Sequence, residues 1–139
     1  MDTTSLAPQS PARNTFRWLL GLLLIFAGGS HLTWARTDFQ AQVPSWVPLD
    51  KDLVVILSGL VEIGLGTALL AARRRRTLVG WIVGAFFTAI FPGNLNQYQQ
   101  GINAFGLNND TIRFVRLFFQ PLLVLWALWS TGAWPRPKA

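Results

Sequence analysis

The 139-residue chain has no cysteine, one histidine, one tyrosine and one methionine. Without cysteine it builds no disulfide framework, dithiol redox centre, iron–sulfur cluster or thiolate nucleophile. The absence does not fix a compartment. A single histidine cannot supply two axial ligands to a haem. His31 with Glu62 gives two metal ligands at most, short of a zinc site, so no metal is expected. Charged residues make up only 13% of the chain, about half the soluble norm. No Ser-His-Asp order, Gly-rich phosphate loop or nucleotide fingerprint is present.

What is abundant is apolar. Hydrophobic residues make up 51% of the chain, with seven Trp and ten Phe. Bilayer interfaces use such aromatic residues well. The net charge of +6 would suggest nucleic acid in a soluble protein. Here the basic residues sit at the ends of apolar runs, where they read as positive-inside anchors. Nucleic acid is therefore not expected as a partner, and a lipid bilayer is.

The central stretch is Leu53 to Ala72, which carries one charge, Glu62, near its middle. A helix of that length spans about 30 Å, the thickness of a hydrocarbon core. A carboxylate at that depth asks for a partner on another helix or for a proton. Around it the chain predicts a four-helix, all-α transmembrane bundle. Residues 1–14 read as a disordered cytoplasmic tail. The first span covers about 16–35. Its basic flank and small residues also fit a signal peptide, but the apolar run is long for one. The second span covers 53–72. Its end, Arg73 to Arg76, is the strongest orientation signal and places that turn in the cytoplasm. It also offers charge to anionic lipid head groups. The third span covers 77–97, either kinking through Pro92 or ending early with a polar re-entry at Asn94 and Asn96. Gly80 and Gly84 form a G-x-x-x-G that permits close helix approach or pairing with a second copy. The fourth span covers 112–131, interrupted by Pro121, with Asn109, Asp110 and Thr111 available as N-caps. Residues 135–139 form a short cytoplasmic tail. Eight Lys or Arg then fall inside and four outside, with both termini cytoplasmic.

Helix rise places the polar residues of the spans in the outer half. His31 lies near the outer end of span one, and Glu62 deeper in span two. Pro92 and Asn94 lie on span three. Arg113, Arg116 and Gln120 share one face of span four, with Gln120 close to the depth of Glu62. Ser58, Glu62 and Gly66 align at i, i+4 and i+8. Trp46, bracketed by Pro44 and Pro48, is an interfacial anchor or a lid over a pocket. His31, Glu62, Asn94, Arg116, Gln120 and Trp46 are the candidate ligand-binding residues. All but Gln120 also have a plain role, for Glu62 a purely structural buried pair. His31 can bond a helix-end carbonyl, Asn94 can satisfy the Pro92 kink, and Arg113 and Arg116 can snorkel to the interface. Glu62 is ionised if Arg116 reaches it and protonated if the site is dry.

Several pieces resemble the DoxX-like family of small bacterial membrane proteins. They are Phe26-Ala-Gly-Gly-Ser-His31, Val43-Pro-Ser-Trp-Val-Pro48, Leu57-Ser-Gly-Leu-Val-Glu62-Ile-Gly64, the Arg run, Phe91-Pro-Gly-Asn94 and Gln120-Pro-Leu122. The chain departs from that pattern at Gly29-Ser30 before His31 and at Leu32, where an aromatic residue is commoner. The resemblance implies a four-helix bundle in the bacterial inner membrane. It also implies association with quinone-linked redox enzymes, but no cofactor-binding set. Three readings stay open. One is a redox-associated subunit with a quinone in the outer pocket and a redox partner protein. The second is a binding or transport protein for a small amphipathic or lipidic ligand. The third is a non-catalytic scaffold whose polar residues fix helix register.

Overall fold

The computed structural model describes residues 9–34, 40, 43, 46–100 and 110–135. The side chains at 94, 96–100, 110 and 113 lie outside that description. Four helices make up the described fold: α1 (Pro11–Leu32), α2 (Lys51–Ala71), α3 (Arg76–Gln100) and α4 (Asp110–Thr131). All four are long and apolar enough to cross a membrane, which suggests a bilayer environment. Many of their large apolar side chains face outward, among them Leu22, Phe26, Leu60, Trp81, Phe118 and Leu122.

The boundaries differ from the sequence reading at both ends. α1 begins at Pro11, so residues 11–14 are helix rather than tail; residues 1–8 lie outside the described set. Ser10 accepts a hydrogen bond from the Arg13 backbone N–H (3.2 Å), and Pro11 occupies the first turn. This is an ordinary start signal, Ser followed by Pro. α3 runs on through Pro92 to Gln100, the first of the two outcomes expected for that span. α4 ends in a Schellman motif. Gly132 takes φ 74°, Ala133 N donates to Leu128 O (2.9 Å) and Gly132 N to Trp129 O (3.1 Å).

The helices pack as two antiparallel hairpins, α1 with α2 and α3 with α4, joined mainly through α1 and α4. α2 and α3 make only slight contact despite their short connection. The closest approach is between α1 and α2, at two reciprocal glycine pairs. A Cβ on Gly21 would lie 2.8 Å from Gly66 O, and one on Gly66 2.5 Å from Gly21 O. A Cβ on Gly28 would lie 2.5 Å from Gly59 O, and one on Gly59 2.9 Å from Gly28 O. The pairs are seven residues apart on each helix, so both fall on one seam. Small residues let backbones meet where lipid provides no hydrophobic drive for association. Between α3 and α4, Gly80 is filled by the side chain of Thr131. This glycine therefore serves the fold of one chain, whereas the sequence left it open to pairing between copies. The core between the hairpins is Leu20, Leu24, Leu69, Val83, Phe87 and Ala127.

At the end where α1 starts and α4 finishes, basic side chains bind helix carbonyls. Arg17 is buried and donates to Leu69 O (2.8 Å) and Ala72 O, closing the end of α2. Arg13 donates to Trp129 O (3.1 Å) and Pro135 O (2.7 Å) beyond α4. Gln9 joins Ser130 O (2.6 Å) to Arg76, whose Nε donates to Gln9 Oε1 (2.9 Å). Cations at helix C-termini also meet the negative end of the macrodipole.

The glycine seam gives a direct expectation. Gly28→Ala should destabilise the detergent-solubilised protein by about 1–3 kcal/mol despite the better helix propensity of Ala. Gly64→Ala, with nothing within 4 Å of the added carbon, should be neutral or stabilising. Thermal unfolding of the two variants side by side checks this, and equal effects would remove the seam as the reason for close packing.

Candidate functional site

A cavity of about 420 Å³ lies in the other half of the bundle, away from the Arg-capped end. Its apolar walls include Leu24, Ala27, Val55, Phe87, Ile90 and Leu123, so all four helices contribute. The volume lies in the range of small-ligand sites. His31, Ser58, Glu62, Arg116 and Gln120 supply its polar groups, and Trp46 stands at the rim.

His31 is placed by the last turn of α1 and by the glycine seam. A Cβ on Gly59 would lie 2.7 Å from His31 Cβ, so Gly59 makes room for the histidine. Ser58 and Glu62 are one turn apart on α2 and share a face. Glu62 Oε2 lies 3.2 Å from His31 Nδ1, and both side chains are buried. Ser58 Oγ lies 3.4 Å from the same nitrogen and donates its own proton to Val55 O (3.0 Å). The serine proton being spent on backbone, the consistent arrangement puts a proton on His31 Nδ1, between Ser58 and Glu62. That tautomer is assigned from the network. The His31–Glu62 contact has ion-pair distance without hydrogen-bond alignment, and Glu62 Oε2 has no hydrogen-bond partner.

The pairing of Glu62 with Arg116, open from the sequence, is not formed among the described residues; the ion-pair partner of Glu62 is His31. The reason is the packing. α4 lies against α1 and α3 rather than against α2, and Glu62 and Arg116 both line the cavity. Arg116 is half-buried, and its Nη1 is buried without a partner. Gln120 is buried and donates from Nε2 to Phe87 O (2.6 Å). It braces α3 one residue before the Thr88 carbonyl that Pro92 cannot bond. Part of its capacity is therefore structural. Trp46 is 73% exposed at the rim, so the indole borders the opening without covering it. The Asn94 and Arg113 side chains lie outside the described residues; Gly93, beside Asn94, lines the cavity.

The sequence reading passed over two wall residues. Ser58 was visible only as a neighbour of Glu62 at i, i+4, and Val43 as part of Val43–Pro48. Val43 is 5% exposed and closes the cavity from the α1–α2 connection. Residues 20–131, most of the chain, match the model of a family described as a domain of unknown function (DUF8561). No curated protein and no solved structure matches the chain.

Breaking one side of a buried pair strands the other. His31→Leu and Glu62→Leu should each cost about 3 kcal/mol, while the double variant should recover much of that loss. Unfolding of the four proteins in one detergent gives the coupling, and strictly additive costs would show that the two side chains do not interact.

Proposed function

The chain belongs to the family described as a domain of unknown function, DUF8561, and we propose that it is a quinone-linked membrane subunit of the bacterial inner membrane. The observation that carries this reading is convergence. Five residues singled out in the sequence, on three helices and a connection, line one cavity: His31, Trp46, Glu62, Arg116 and Gln120. The apolar walls exclude water from a ring. Arg116 offers N–H donors to a ring oxygen. Glu62 with His31 behind it can hold a proton at the cavity wall. Gln120 contributes less to a ligand than its position suggested, having a donor committed to Phe87 O. Electrons come from a partner protein, because a chain with no cysteine and one histidine has few means to hold a redox centre. The resemblance to DoxX-like proteins supports the same association.

A second reading is favoured by one feature. Leu23, Ala89 and Pro92 line the cavity and are also exposed on the outer surface of the bundle. That gives a lipidic molecule a lateral way in and supports a binding or transport protein with no chemistry of its own.

Both termini are cytoplasmic in this proposal. Arg73, Arg74 and Arg75 are exposed at the α2–α3 turn, where the positive-inside rule puts them. A chain without cysteine allows a clean test by single substitutions. In intact spheroplasts an impermeant maleimide should label Pro48→Cys and spare Arg74→Cys until the membrane is opened. The reverse pattern would invert the topology.

Native mass spectrometry with lipid extraction tests the ligand. Wild type should retain a quinone-class molecule that Glu62→Gln releases. A clean apo protein in both forms, equally stable, would overturn the quinone-linked reading in favour of a scaffold.

A further inference from the structure

Six arginines gather at the end of the bundle where α1 starts and α2 finishes: Arg13, Arg17 and Arg73 to Arg76. Among the described residues no carboxylate stands with them. Of the six acidic residues of the chain, Asp50 and Asp52 lie at the start of α2 and Asp110 at the start of α4, both at the opposite end. Glu62 lines the cavity, and Asp2 and Asp38 lie outside the described residues. Like charges are thus held together without a counter-charge, and Arg17 feels the field of both Arg76 and Arg73.

The six divide by what they bind. Arg13, Arg17 and Arg76 donate to backbone carbonyls, and Arg17 already closes the end of α2. Arg73, Arg74 and Arg75 are exposed and form no ion pair among the described residues. The helix turns on either side of them present apolar surface. Ala71 is exposed on the last turn of α2, and Leu78 and Ile82 are exposed on the first two turns of α3. Because α2 and α3 make only slight contact, an acyl chain can lie along the line between them without parting packed helices. Cations above such a surface complement an anion carried on hydrocarbon. Topology alone asks for the charges but for no particular lipid.

We propose that Arg73, Arg74 and Arg75 hold the phosphate of an anionic phospholipid, with an acyl chain lying along α2 and α3 beneath the turn. Guanidinium forks pair with two phosphate oxygens at once. The site lies at the other end of the bundle from the cavity and is independent of what the cavity takes.

The test is native mass spectrometry of the full chain in detergent, titrated with phosphatidylglycerol and with phosphatidylcholine of the same chains. Wild type should hold phosphatidylglycerol about tenfold or more tightly. Replacing Arg73, Arg74 and Arg75 together by Gln should abolish that preference. Lys51→Gln, a charge removed at the opposite end, should keep it. Glycerol phosphate at the concentration of the lipid should not displace it. Equal binding of the two lipids by wild type would overturn the proposal, and that comparison decides the matter if the triple variant does not fold. A preference that survives the triple substitution would remove the site from this turn. Loss of the preference in Lys51→Gln would reduce it to net charge, and displacement by glycerol phosphate would make the occupant a free phosphate.

Discussion

The backbone contact between α1 and α2 is the constraint on which the rest depends. Gly21 faces Gly66 and Gly28 faces Gly59, each carbonyl occupying the place of the other's missing Cβ. Helices this close exchange dispersion and Cα–H···O contacts along a seam. In lipid those terms matter, because burying leucine against leucine gains little over leucine against an acyl chain. The seam also fixes register. With Gly28 against Gly59, His31 falls beside Ser58 and within reach of Glu62. A buried carboxyl group is thus given its neighbour by glycines that do not themselves line the cavity. The second hairpin is set differently, with Thr131 seated on Gly80. Because α2 and α3 barely meet, the two hairpins enclose a cavity instead of closing into a solid core.

The basic residues carry two meanings at once. In the proposed topology, Arg13, Arg17 and Arg76 lie on the cytoplasmic side. In the fold they also bind the carbonyls that end α2, α4 and the turn between α2 and α3. The two roles agree physically. Helices that return to the starting end present their negative dipole ends there, and those ends attract cations. Arg73, Arg74 and Arg75 are left exposed, so a surface charge remains after the caps are satisfied.

Much of this was legible in the sequence, for reasons that can be named. Apolar runs of about twenty residues marked the four helices, since a bilayer admits few other structures. The depth argument gathered His31, Glu62, Arg116 and Gln120 because rise per residue alone fixes height along a helix. Azimuth was the weak point. Nothing in the spacing said that α4 would pack on α1 and α3, so Arg116 was allowed to reach Glu62 when it does not. Gln120 was given wholly to a ligand, because its bond to Phe87 O depends on how α4 sits beside Pro92. The glycine seam was readable in principle. The seven-residue spacing of Gly21 with Gly28 and of Gly59 with Gly66 was present, but G-x-x-x-G drew attention to Gly80 and Gly84. The start of α1 was lost to composition: a polar stretch with proline looked like a tail although Ser10 and Pro11 formed a start signal.

Unmatched polar atoms occur at both ends of the bundle, and their setting separates them. Thr77 Oγ1, Ser130 Oγ and Arg17 Nε also lack partners, but none of these residues lines the cavity. Arg17 already makes two bonds to carbonyls, and the two hydroxyls sit among residues that tie helix ends together. Glu62 and Arg116 do line the cavity, but the unmatched atom of each is itself buried, and Glu62 Oε2 lies 3.2 Å from His31 Nδ1. Replacing a buried pair such as His31–Glu62 with apolar side chains of similar size is often neutral or stabilising, so stability alone gives little reason to keep it. A fold that is held by glycine contacts and capped by arginines has no need of a carboxyl group at the wall of a cavity. Its presence there, beside His31, is not accounted for by the packing of the helices.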